Sequence, residues 1–330
     1  MPKKSAIRIS PSRLKCATHC GWEYKYKYVD KMRSDGLHPR LFAGSVLHKA
    51  REDWVMDRTL SMVKLTQEAF IAEAETPVLR RAIKAYGRLS RQSIKLQAGI
   101  VRRRPKLTSP ERTKEFKQSQ IAVAMRAFNR EWREALEGDK FSWGEAPLPE
   151  IYDLAIKTAS KYQDAWRTSP HALLTEQPYV LPYRGYEMNG IIDDISLAID
   201  ENGEPLAYLI TDAKNSLREP APTDHYLQLA IYKLASDRSL EEWLKESAPE
   251  HDFQDHLPVW VAIDLMPLLK RKVYFFPADS EAILDGILDN YERFLEAKCW
   301  LPDLSHCSFC DYQGYCAEAL GIKELDHALM

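Results

Sequence analysis

Apolar positions change their spacing sharply once along this chain. From about Leu41 to beyond Trp54, the residues Val46, Ala50 and Trp54 recur at helical intervals, the stripe of a helix that buries one face. Residues 60–170 keep that helical character, with breaks expected around 105–110 and 147–149, where prolines cluster. After Pro170 the period shortens. The stretches 173–181, 186–199 and 206–214 read as strands, followed by a helix over about 223–235, strands over 258–265 and near 272–276, and a helix over about 280–299. Ahead of all this, Ile9-Ser-Pro-Ser-Arg-Leu14 leads into an aromatic and basic helical stretch over 22–33. No internal repeat is visible. The pattern predicts a mixed α/β core preceded by a large helical region. It divides the chain into an N-terminal segment 1–35, a mostly helical region 36–170, a core 171–298 and a C-terminal segment 299–330.

One turn signal carries chemistry with it. Asn202-Gly203 between two β-prone runs predicts a two-residue type I′ hairpin turn. That turn sets Asp193 directly opposite Asp212, with Cβ atoms about 5 Å apart. Lys214 lies two residues further on and shares the face of Asp212. Carboxylates this close repel, and one would normally hold its proton. A divalent cation removes the conflict by binding both, and an oxygen-rich site suits Mg²⁺ or Mn²⁺. A lysine beside it can orient water or offset charge on a phosphate. The bland alternative is an exposed hairpin whose Asp and Lys merely pair. The run Ala207-Tyr-Leu-Ile-Thr-Asp-Ala-Lys214 is too apolar for an exposed edge, which favours a site.

The six cysteines add a second feature. Cys16 and Cys20 stand near one end, Cys299, Cys307, Cys310 and Cys316 near the other, and none lies between Cys20 and Cys299. Six thiols are too few for a disulfide scaffold in a chain of 330 residues. Thiols gathered at two termini suggest one site that joins them. Cys307, Cys310 and Cys316 need a fourth ligand, since zinc and a cubane cluster both take four. Zinc modules usually pair their ligands locally, two and two, which one distant cysteine with three local ones does not match. Cys299 is expected to be buried and inert.

Composition is that of a folded chain, 45% hydrophobic with eight Trp and sixteen Tyr. No apolar run approaches the roughly 20 residues of a membrane span, and no signal sequence follows the basic start, so a cytoplasmic protein is expected. The net charge of −2 hides an uneven distribution. Residues 77–110 carry ten Lys or Arg and no acid: Arg80, Arg81, Lys84, Arg88, Arg91, Lys95, Arg102, Arg103, Arg104 and Lys106. Solvated helix faces normally mix signs, so this run is read as a surface for a polyanion such as DNA.

Taken in order, Gly190-Ile-Ile-Asp193, Ile210-Thr-Asp212-Ala-Lys214 and Gln228-Leu-Ala-Ile-Tyr232 resemble the motif series of RecB-like nucleases in the PD-(D/E)XK superfamily. Gly44-Ser-Val-Leu-His48 is similar to the helical Gly-x-x-x-His motif of the same group. The resemblance implies a restriction-endonuclease-like core, a mixed central sheet flanked by helices. It implies metal ligation by His48, Asp193, Asp212 and the Ala213 carbonyl, with Lys214 as catalytic lysine. Gln228 and Tyr232 would meet substrate or brace the site. The segment Ser10 to Cys20 is similar to the first-cysteine motif of relatives with iron–sulfur clusters. A [4Fe–4S] cluster would then be held by Cys20, Cys307, Cys310 and Cys316, with Cys16 a rival for the first position and Gly21 where proline is common. Glu176 resembles an acidic position of some relatives. The activity implied is exonucleolytic hydrolysis of DNA, single-stranded or with ends. A non-cutting assembly subunit and a restriction-type endonuclease are the alternatives. No Gly-x-x-x-x-Gly-Lys-Ser/Thr motif is present, so a helicase, recombination or CRISPR partner would have to supply any unwinding.

Overall fold

The computed structural model describes residues 7–32, 39–73, 80, 83–84, 148–216, 225–274, 280–303, 307, 310 and 312–320. Strand β1 (Ile7–Ile9) runs into helix α1 (Pro11–His19), whose start is dictated locally. The Ser10 side chain caps it by accepting from the Arg13 N–H at 3.2 Å, and Pro11 takes the first turn, where a missing N–H costs nothing. The aromatic stretch predicted as one helix over 22–33 is instead α2 (Gly21–Tyr24) and a π-helical turn Lys25–Val29. It ends early, with Lys31 in the left-handed region at φ 53.

Helix α3 (Pro39–Met56) is the stripe read in the sequence. Val46, Ala50 and Trp54 are fully buried against α4 (Met62–Ala72) and α5 (Leu148–Trp166), with Trp54 edge-on to Tyr162 at 5.7 Å. Next come β2 (Ala172–Tyr183), β3 (Tyr186–Ile199), β4 (Pro205–Lys214), α6 (Tyr226–Ser247), β5 (Val259–Leu265), β6 (Lys270–Tyr274), α7 (Ser280–Ala297) and α8 (Gln313–Leu320). Helix α6 outruns its predicted end because Leu240, Trp243 and Leu244 continue the buried stripe.

The sheet is mixed. β3 pairs antiparallel with β2 and β4 and parallel with β1, while β4 pairs parallel with β5 through the α6 crossover, and β6 closes the edge antiparallel. One hydrophobic cluster joins the sheet to α1, α6 and α7; a second joins α3, α4 and α5 to Ala172, Ala213 and Met266. The core is therefore a mixed sheet flanked by helices on both faces, as expected. Strand β4 sits inside it, buried from Ala207 to Ala213.

The β3–β4 turn differs from the expectation. Only Gly203 has positive φ, at 88, so a type I′ turn, which needs two such residues, is excluded. Instead the Gly203 N–H reaches the Asp200 carbonyl at 3.2 Å and the Asp200 N–H reaches the Glu204 carbonyl at 2.9 Å, a type I turn with a glycine bulge. A register shift beside it, between Ala198 and Ile199, restores the pairing, and Asp194 opposes Thr211. Two one-residue irregularities cancel, and the predicted register survives a wrong turn.

Of the basic segment, Arg80 and Lys84 fall among the described residues. Arg81, Arg88, Arg91, Lys95, Arg102, Arg103, Arg104, Lys106 and the break at 105–110 lie outside them.

Candidate active site

The β3–β4 ladder ends at Asp194 and Thr211. Beyond it the strands part: β3 stays with β2, while β4 from Asp212 to Lys214 stays with β5. The next pair in register, Asp193 and Asp212, therefore stands in the fork. There the Ala213 N–H, released from the ladder, donates to the Asp193 carboxylate Oδ2 at 2.6 Å. A strand fork supplies both the opening and a backbone donor to fix one acid.

The second acid is fixed by side chains. The Lys214 ammonium straddles Asp212, donating to Oδ1 at 3.0 Å and lying 2.9 Å from Oδ2. Gln228 on α6 donates to the same Oδ1 at 3.0 Å and to the Tyr232 hydroxyl at 2.7 Å. That hydroxyl donates in turn to the Ile191 carbonyl at 2.7 Å. One helical turn separates Gln228 from Tyr232, which lets a single face of α6 hold the chain of bonds. Burial raises the Asp212 carboxyl above its ordinary range, with Asp193 adding and Lys214 opposing. Burial also raises Asp193, against the Ala213 hydrogen bond. Burial works to lower Lys214, but Asp212 outweighs it and the amine is held above its usual value.

His48 reaches the fork from α3, its Nδ1 3.7 Å from Asp193 Oδ2. Burial, then Lys214 and Arg51, hold its imidazole down at about 4, so it is neutral at pH 7. Glu176 lies on β2 between Thr175 and Gln177, which pair with Asp194 and Ile192, and has a positive φ of 47. Burial, then Asp193 and Glu52, push its carboxyl up to about 7.

Sequence reasoning missed what lies behind the fork. Arg51, one turn beyond His48, is fully buried and ion-paired with Asp194 and, at 3.3 Å, with Asp264. Tyr162 donates to Asp264 at 2.6 Å, and Arg271 clamps Asp264 at 2.5 and 2.7 Å. Burial would raise the Asp264 carboxyl, but the two arginines hold it below the usual range. The available signal was Asp194 following Asp193 directly, since neighbours on a strand face opposite ways.

At the termini, α1 and α2 meet the chain after α7. The Gly21 N–H donates to the Leu301 carbonyl at 2.9 Å, and the Asp303 N–H donates to Cys20 Sγ at 3.4 Å. Gly21 is required here, because a Cβ would stand 2.7 Å from the Leu301 backbone nitrogen. Proline there would lose the hydrogen bond as well. Cys20 also accepts from the Glu23 N–H at 3.5 Å. Burial and then Cys20 raise the Cys307 thiol; burial raises Cys310 to about 12, with Glu23, Cys316 and Cys20 adding. Cys20 thus acts on both Cys307 and Cys310, and Cys316 on Cys310. Cys16 is buried among Leu14, Ala17 and Tyr24 in the main core. Cys299, expected to be buried, is exposed. Helix α7 stops at Ala297, and Lys298 turns the chain outward with φ 49.

Among the described residues, no three His, Cys, Asp or Glu side chains close to coordination distances. The donor chemistry at the fork still fits a divalent cation. Asp212 Oδ2 is buried without a hydrogen bond, an oxygen of the kind a hard cation takes, and His48 offers a neutral nitrogen nearby. No helix among the described residues is long and apolar enough to cross a membrane.

No curated protein matches the chain. The crystal structure of SSO0001 is similar over 51% of this chain and 77% of its own, at 16% identity and a TM-score of 0.27. A family model, the PD-(D/E)XK nuclease superfamily, matches residues 8–317. That span takes in α1, the β3–β4 fork and the C-terminal cysteines, and the chain belongs to the PD-(D/E)XK nuclease superfamily.

Proposed function

We propose that the protein is a Mg²⁺- or Mn²⁺-dependent DNA exonuclease acting on single-stranded or end-bearing DNA, with a structural [4Fe–4S] cluster. The observation that carries this is the fork, which gathers Asp193, Asp212, Lys214 and Gln228 with His48 above them. His48, Asp193, Asp212 and the Ala213 carbonyl would hold the metal ion. Such an ion polarises a phosphoryl oxygen and lowers the pKa of bound water. Lys214, paired with Asp212, would orient the attacking water or offset charge on the phosphate. Gln228 and Tyr232 keep that ammonium and Asp212 in place. Cys20, Cys307, Cys310 and Cys316 would hold the cluster as a clasp between the termini. The two N–H groups on Cys20 Sγ support that choice over Cys16. The setting proposed is cytoplasmic, with unwinding left to a partner.

The test is digestion of linear and circular single-stranded DNA with Mn²⁺, Mg²⁺ or chelator. Metal-dependent loss of the linear strand with an intact circle is expected. A nicked circle would favour a restriction-type endonuclease, and no cleavage at all would favour an assembly subunit.

A further inference from the structure

Two cavities adjoin the sheet. The larger, about 590 Å³, lies at the far end of β4 from Asp212, away from the fork. The smaller, about 300 Å³, lies between α1 and α6 and is different in kind. Lys214 and Gln228 form part of its wall, so it opens onto the fork. Its opposite wall carries Lys15 and His19, one turn apart on α1, and Lys27 from the π-helical turn. Lys214 is balanced by Asp212, and against Lys15 and Lys27 the lining has one acid, Glu23.

A phosphodiester strand cut at the fork has to continue past it. Each nucleotide carries a further negative charge, and a basic slot that begins at the fork meets the next ones. The volume is at the small end for a binding pocket, which suits one strand rather than a duplex. We propose that the α1–α6 cleft is a subsite for the backbone of a single DNA strand, with Lys15 and Lys27 each meeting a phosphate adjoining the one that is cut. The inference rests on the nuclease reading above and adds where the strand runs.

The test uses the full chain in an Asp212→Asn background, which binds without cutting, and a fluorescent single-stranded oligonucleotide titrated across a salt series. Counterion release gives a slope of about 0.7 per contacted phosphate, or about five-fold in affinity per contact at roughly 0.1 M salt. Lys15→Gln with Lys27→Gln should therefore weaken binding about 25-fold and flatten the slope by about 1.4. Arginine at both positions should restore both, which separates lost charge from lost fold. Unchanged affinity and slope in the glutamine pair would overturn the inference, as would a blunt duplex that senses the two lysines equally. The nuclease reading is checked apart, by cleavage in the unsubstituted protein. If that protein cuts but the slope does not move, only the cleft assignment fails. If it never cuts yet the slope flattens, the cleft stands as a strand-binding site without the reaction.

Discussion

At Gly190 a Cβ would stand 2.6 Å from the Tyr179 hydroxyl and 2.9 Å from its ring. The glycine of Gly190-Ile-Ile-Asp193 is thus required by the tyrosine opposite it on β2, not by a turn. Tyr179 packs edge-on against Tyr232 at 5.7 Å, so the same glycine helps set the hydroxyl that steadies Gln228. Gly190→Ala should destabilise the protein by about 1–3 kcal/mol in denaturant unfolding and lower its turnover, since the buried ring has nowhere to go. Asp212→Asn should behave differently. It should abolish cleavage, and any fall in melting comes from the Lys214 ammonium losing its paired charge rather than from packing. His48 gives the pH signature. Its folded pKa of about 4 lies below the ordinary 6.5, so the proton is bound more readily by the unfolded chain. Stability from the neutral imidazole is full above pH 6.5 and is lost as pH falls toward 4. In chelator, the unfolding free energy of the parent should fall more steeply from pH 7 to 5 than that of His48→Gln; parallel curves would contradict the buried neutral imidazole. These residues were legible because acids, lysine and glycine carry their chemistry in their type. Tyr179 was not, because only the fold brings it across Gly190.

At the scale of elements, α3 is held twice. Its apolar stripe packs on α4 and α5, and Arg51 ties it to Asp194 on β3 and Asp264 on β5. The second tie fixes the helix one turn from His48, over the fork. Arg51→Ala leaves two buried carboxylates without their shared cation, and removing one member of such a network costs about 3–5 kcal/mol. Arg51→Ala with Asp194→Asn, which leaves Asp264 on Arg271, should recover part of that loss in thermal unfolding; no recovery would mean that packing, not charge, made Arg51 necessary. Pattern revealed the stripe by its helical spacing, and the strands of the hairpin as β-prone runs, β4 being buried without a break from Ala207 to Ala213. It could not reveal Arg51, a charged residue on a buried face, since pattern reading assigns charge to solvent. The turn shows the same limit. Asn202-Gly203 marks a reversal, but the choice between a two-residue turn and a bulged one rests on φ at Asn202, and composition does not set it.

Across the whole molecule the two ends of the chain form one structure. Tyr24 stacks on Trp300 at 5.7 Å, Tyr26 meets Tyr312, and Gly21 and Cys20 bond to the backbone of 301 and 303. Cys20→Ser, Cys307→Ser, Cys310→Ser and Cys316→Ser should each remove the visible absorption of anaerobically prepared protein and lower its melting temperature, since ligand binding contributes to folding. Cys16→Ser should keep the colour. That the two terminal segments meet was suggested by where the cysteines stand, but the aromatic contacts that join them were not legible, because they join residues almost a chain length apart. The basic run at 80–106 belongs to this scale too, although only Arg80 and Lys84 fall among the described residues. Ten cations without an acid, in a chain of net charge −2, repel one another unless a polyanion is near. DNA guided along them toward the fork would release counterions at each phosphate met. Replacing Arg102, Arg103 and Arg104 together by glutamine should then flatten the salt dependence of single-strand binding by about 2, at about 0.7 per contact. Cleavage at saturating DNA should fall much less than affinity, because these residues lie far in sequence from every ligand at the fork. If the run instead faces a protein partner, the slope in the triple variant will match that of the parent.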